Sequence, residues 1–136
     1  MSIDALQSRL EAAADGLVYS SESDRPFSFV HFAGANIPIA QLTADEVAAL
    51  SGSLGANVTE TSLEELLARH IERVDMQDVE GRRLIPRYEA LRDAIARAFG
   101  TVRVFRVGAI EIRCLALGND PTTGEIAGLE TVAVET

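Results

Sequence analysis

Apolar residues near the start of the chain recur at helical spacing. Ile3, Leu6, Leu10 and Ala13 fall at i, i+3, i+7 and i+10, which predicts a helix from Ile3 to Ala14 with one apolar face. Asp15-Gly16 ends it, since glycine suits a left-handed cap. Leu17-Val18-Tyr19 is a short apolar piece, and Ser20 to Pro26 reads as a polar loop closed by proline. Phe27 to Phe32 then reads as an aromatic-rich strand, and Ala33 to Ala40, with Gly34, Asn36 and Pro38, as a loop.

Two capping signals mark the middle of the chain. Thr43-Ala44-Asp45-Glu46 and Ser62-Leu63-Glu64-Glu65 each set a carboxylate three residues after a hydroxyl, the spacing of a capping box. The first opens a helix stopped by Gly52 and Gly55; the second opens a short helix to about Arg69. Asn57-Val58-Thr59 between them is a candidate strand. Glu72 to Gly81 is acidic and reads as a loop. Pro86 fits the first turn of a long helix ending at Gly100, with Tyr88, Leu91, Ile95 and Phe99 on its buried face.

The last third alternates. Val102 to Val107 reads as a strand, Gly108-Ala109 as a two-residue turn of the II′ type, and Ile110, Ile112, Cys114 and Ala116 as the partner strand. Asn119 to Gly124 is a longer turn, and a last strand runs from Glu125 to Val134. Helices first and a β-meander last predict an α/β fold with a mixed or antiparallel sheet. Apolar positions on both strand faces predict helices on both sides of it.

Composition narrows this picture. The chain has 136 residues, 47% of them hydrophobic and 24% charged, enough for one folded domain over residues 1–136. No run of about 18 apolar residues occurs. Met1 to Ala5 lacks a basic, then apolar, leader, so the expected compartment is the cytoplasm. The formal charge is −9, from 21 acids against 12 bases, and every base is arginine. Such a surface repels nucleic acid and anionic lipid and favours a cationic partner, although acidity also serves simple solubility.

Catalytic signatures are missing: no Walker loop, no dinucleotide-binding glycine pattern, no H-E-x-x-H and no G-x-S-x-G. His31 sits in an aromatic strand and reads as a packed or surface residue. His70 closes a helix, where a cation is favourable. Cys114 lies in an apolar run as a small core residue. Asp75, Asp78 and Glu80 do not meet the calcium-loop pattern and read as a solvated loop. The chain is therefore expected to need no cofactor and no metal of its own, and to be a monomer when free. Two features remain: the loop Ser20 to Asp24, with carboxylates among hydroxyls, and Glu135-Thr136 directly after a strand.

Those two features carry a resemblance. Ala14-Asp15-Gly16-Leu17-Val18-Tyr19-Ser20-Ser21-Glu22-Ser23-Asp24-Arg25-Pro26-Phe27 resembles the D-G-L-x-x-x-S-E-S-[ED]-x-P-F segment of the nuclease A inhibitor family. Val104 to Gly108, Glu111, Ala127-Gly128 and the ending Val134-Glu135-Thr136 are similar as well. The resemblance implies a three-layer α/β/α sandwich with a mixed, largely antiparallel sheet ending in a β-meander. It also implies a non-enzymatic inhibitor of a sugar-non-specific, divalent-metal-dependent nuclease. The residues it turns toward the nuclease metal are Glu22 and Thr136, with Ser21, Ser23, Asp24 and Glu135 around them. Met76 stands where the family's inhibitor presents a tryptophan at the interface. That departure leaves open a protein-interaction module of the same fold with a different partner.

Overall fold

The computed structural model describes residues 3–136. The reading of the N-terminus as leaderless begins at Met1 and Ser2, which lie outside the described residues. Helix α1 spans Ile3–Ala14, as its periodicity predicts, and buries Leu6, Leu10 and Ala14. Strands β1 (Val18–Ser20) and β2 (Asp24–Pro26) form a two-stranded antiparallel ribbon. The segment read as a plain loop is thus a hairpin. Its polar residues hide the period-two pattern, and its turn is fixed by hydrogen bonds rather than by burial. β3 (Ser28–Phe32) follows, then a 3-10 turn at Ile39–Gln41.

Helix α2 (Ala44–Leu50) carries the full capping box: Thr43 Oγ1 accepts from Glu46 N–H, and the Glu46 carboxylate accepts from Thr43 N–H. Strand β4 is Val58–Thr61. Helix α3 (Leu63–Ile71) starts at Ser62, whose hydroxyl accepts from Glu65 N–H. The Glu65 carboxylate instead pairs with Arg73.

The long helix α4 begins earlier than Pro86 suggests. It spans Val79–Phe99, with Asp78 as its N-cap accepting from Gly81 N–H at 2.8 Å. The acidic stretch is therefore partly a helix start, where carboxylates meet the positive end of the helix dipole. Pro86 lies inside the helix and forfeits one backbone bond. The apolar face of Tyr88, Leu91, Ile95 and Ala98 holds the helix down across the gap, and Phe99 is half-buried against the same core.

Strands β5 (Arg103–Val107), β6 (Glu111–Asn119) and β7 (Ile126–Val134) form the meander. The sheet order is β3-β7-β6-β5-β4, every pairing antiparallel. The β5–β6 connection departs from the two-residue turn. Val107 pairs with Arg113, so the loop is longer. Gly108 sits at φ 115° with its N–H on the Asn57 carbonyl, and a Cβ there would lie 2.5 Å from the Glu111 carbonyl oxygen. That close approach, with β4 alongside, sets the register in place of a tight hairpin.

Side chains alternate across the sheet. Val104, Ile112, Cys114, Ala116, Ala127, Leu129 and Ala133 pack with α1, α3 and α4. Phe105, Val107, Leu115, Leu117 and Ile126 pack on the other face with Ile39, Leu42 and Val47. The architecture is a three-layer α/β/α sandwich with uneven layers: three helices on one face, α2 and the 3-10 turn on the other. Cys114 is the core residue its pattern predicts, and burial pushes its thiol pKa up.

Two stability outcomes follow from this packing. Leu115 is fully buried, so Leu115→Ala should cost about 3 kcal/mol by chemical denaturation. A Cβ at Gly128 would fall 1.8 Å from the Ala116 carbonyl oxygen on the neighbouring strand. Gly128→Ala should therefore cost at least about 2 kcal/mol, and a wild-type unfolding midpoint would contradict the register given for β6 and β7.

Candidate functional site

The β1–β2 ribbon ends in a turn at residues 21–23, and that turn leans on the end of β7. Ser21 N–H donates to the Ser23 carbonyl at 2.9 Å, closing the turn. Val134 N–H donates to Ser21 Oγ at 2.9 Å, and Glu22 N–H donates to the Val134 carbonyl at 3.3 Å. Lower down, Thr131 Oγ1 donates to the Arg25 carbonyl at 3.2 Å. A two-stranded ribbon is marginal by itself in water; these contacts dock it along β7.

The other side of β1 is held by helices. Tyr88 Oη donates to the Val18 carbonyl at 2.5 Å and accepts from Val18 N–H at 3.3 Å. His70 Nε2 accepts from Ser20 N–H at 3.2 Å, and Arg69 donates to the Ser20 carbonyl. Three side chains thus satisfy the backbone groups of Val18 and Ser20 as a neighbouring strand would. The expectation of a cationic His70 at a helix end is corrected here. Its ring stacks on Tyr88 at 4.2 Å, burial and then the Arg69 charge lower its pKa to about 4, and it is a neutral acceptor. Nothing in the sequence pattern gave Arg69, His70 or the Tyr88 hydroxyl these roles, because their partners are backbone groups about 50 and 70 positions away.

This scaffold brings Glu22 and Thr136 together. Thr136 N–H donates to one Glu22 carboxylate oxygen at 2.5 Å and Thr136 Oγ1 to the other at 2.6 Å. Both residues are exposed. The two bonds, the hydroxyl's first, lower the Glu22 pKa below its ordinary value, so the group is a carboxylate at neutral pH. Three glutamates on β6, β7 and the segment after it differ in one respect. Glu111 is paired with Arg25, Glu135 with Arg106 at 2.6 Å, and Glu130 with Arg113 at 2.7 Å. Guanidinium groups offset those charges, whereas neutral donors hold Glu22, and no cation among the described residues pairs with it. Each Glu22 oxygen has spent one lone pair and keeps another.

The remaining sequence-chosen residues take varied places. Asp24 is exposed at the start of β2. Ser21 spends its hydroxyl on the turn and on β7. The Ser23 hydroxyl is buried, with no hydrogen-bond partner among the described residues, so it is not an oxygen offered at the surface. Met76, 72% exposed, sits in the connection between α3 and α4. Its neighbours Val74, Asp75 and Asp78 line a cleft of about 450 Å³ that Ser20 and Ser21 also line. His31 accepts its place at the far end of β3 by pairing with Glu125 at 2.8 Å.

Among the described residues, no three His, Cys, Asp or Glu side chains are grouped to hold a metal, and no helix is long and apolar enough to cross a membrane. No curated protein matches the chain. A family model does: the one described as NuiA, nuclease A inhibitor-like protein, matches residues 4–136. That family is inhibitor-like and not catalytic, and its role is to engage another protein. With a match across almost its whole length, this chain belongs to the nuclease A inhibitor-like (NuiA) family.

Proposed function

We propose that the chain inhibits a sugar-non-specific, divalent-metal-dependent nuclease by inserting the Glu22–Thr136 pair into its active-site cleft. The observation that carries this reading is the outward-facing Glu22 carboxylate, paired with no cation among the described residues and held on both oxygens by Thr136. A nuclease site is built to hold phosphate oxygens against a metal and cationic side chains. A carboxylate is a hard oxygen donor of the same charge sign and can take the phosphate position. Thr136 fixes the rotamer in advance, so less ordering is left for the moment of binding. Asp24 and Glu135 edge the contact, Ser21 and Ser23 shape the turn beneath it, and the exposed Met76 adds an apolar contact from the connection between α3 and α4. Methionine is flexible and can fill an irregular apolar pocket. The net charge of −9 draws the chain toward a basic cleft. The free protein acts as a monomer in the cytoplasm.

The replacement of a tryptophan by Met76 favours one other reading: the same docking surface, used against a different basic protein. A panel of metal-dependent, sugar-non-specific endonucleases assayed with excess protein separates the two. Loss of cleavage in at least one is expected; full cleavage in all would favour the second reading.

For a nuclease that is inhibited, Glu22→Gln keeps the shape and removes the charge. Its inhibition constant should rise on the order of 100-fold, because the partner's cations are left unpaired. Thr136→Val, which loses only the hydroxyl bond, should cost about tenfold. Both variants should unfold at the wild-type denaturant midpoint, since the pair is exposed. Undiminished inhibition by Glu22→Gln would rule out the carboxylate as the metal-facing group.

The kinetics offer a separate check. Raising ionic strength from about 0.05 to about 0.5 M should slow association by roughly tenfold and change dissociation much less. A salt-independent association rate would show that the acidic surface does not steer the encounter.

A further inference from the structure

The turn that carries Glu22 closes on the pair Ser20 and Asp24, so the height and tilt of Glu22 depend on where Ser20 sits. Two consecutive residues at the end of α3 fix it. His70 takes the Ser20 N–H and Arg69 its carbonyl. An imidazole nitrogen can accept only when it bears no proton, so Nε2 is bare in this structure. The ring cannot turn away easily. It is stacked on Tyr88 with planes 10° apart, and Tyr19 meets it edge-on at 5.9 Å. Arg69 is itself placed over the Tyr19 ring, 5.0 Å from its centre.

We propose that His70 is a positioning residue for Glu22, its unprotonated Nε2 fixing Ser20 and, through Ser20, the turn that presents the carboxylate. The proposal rests on the nuclease-facing role given to Glu22 above, and it assigns His70 a part in affinity without contact with the partner. The charged and titratable groups around the ring are Arg69 on α3, Asp24 on β2, Tyr19 on β1 and Tyr88 on α4. Arg73, Asp75, Asp78 and Glu80 line the same cleft. Burial and Arg69 hold the imidazole neutral down to about pH 4, so the clamp stays closed at neutral and mildly acid pH.

The test compares His70→Phe, which keeps a stacking ring and loses the acceptor, with His70→Gln, which loses the ring and keeps an acceptor at similar reach. Inhibition is measured against a magnesium-dependent, sugar-non-specific endonuclease that the wild-type chain inhibits. Amide hydrogen exchange and chemical shifts of Ser20, Glu22 and Thr136 are measured in the free protein. His70→Phe should raise the inhibition constant about tenfold, the worth of one such bond, speed exchange at Ser20 and shift the Glu22 and Thr136 amides. His70→Gln should recover inhibition to within about threefold of wild type. Should His70→Phe fail to fold, His70→Asn, whose amide stops short of Ser20, takes its place with the same expectation. Wild-type inhibition by the acceptor-less variants would overturn the proposal, with ring packing the cause if His70→Gln alone loses inhibition; equal loss in His70→Gln and His70→Phe would overturn it too, because restoring the acceptor then recovers nothing. Should the wild-type chain inhibit no nuclease, the proposed function fails, and the amide measurements still decide whether His70 places the Glu22 turn.

Discussion

The free edge of β1 is the constraint on which the candidate site depends. A buried backbone amide or carbonyl left without a partner costs on the order of 1–3 kcal/mol, and the half-buried groups of Val18 and Ser20 face no strand on that side among the described residues. Tyr88, His70 and Arg69 supply the partners from two helices that belong to the main core. On the opposite side, Ser21, Glu22 and Arg25 bond to the last residues of β7. The ribbon is thus held between the helical layer and the sheet, and its tip inherits their rigidity. A polar turn of this kind would otherwise be among the most mobile parts of a protein.

Charge is distributed with the same economy. Arginine, the only basic residue type besides histidine in the chain, is spent largely on carboxylates and on carbonyls that need a donor. Arg103 shows both uses, pairing with Glu60 and donating to the Ile39 and Leu42 carbonyls of the turn that precedes α2. Around the tip, Arg25 and Arg106 offset Glu111 and Glu135. Glu22 alone of that group is gripped by an amide and a hydroxyl, which orient it without reducing its charge. For a protein that must offer an anion to a cationic site, orientation by neutral donors is the arrangement that loses least attraction.

Much of the fold was legible from spacing alone. The face of α1, the Thr43 box, the start of α3 at Ser62 and the closing meander all follow from local patterns, because each depends on residues within a turn or two of one another. The misreadings share the opposite property. The β1–β2 ribbon is stabilised by residues more than 100 positions away, so its own polar sequence looked like a loop. The start of α4 was masked by a proline that distant packing tolerates. The β5–β6 register is set by contacts of Gly108 with Asn57 and Glu111 that a two-residue turn signal does not report. His70 looked like a surface cation because its two aromatic neighbours, Tyr19 and Tyr88, are remote in sequence.

The sequence by itself determined the fold class, the family and the identity of two acidic or hydroxyl-bearing features, the Ser20 to Asp24 segment and the ending Glu135-Thr136. Only the tertiary structure decided that these features are one: Glu22 and Thr136 are 114 positions apart and share two hydrogen bonds. It also decided which donors hold the Glu22 carboxylate, and hence that its charge is kept. The physical reason is that periodicity encodes which face of an element is buried, whereas the pairing of two exposed polar groups depends on the three-dimensional route of the chain between them.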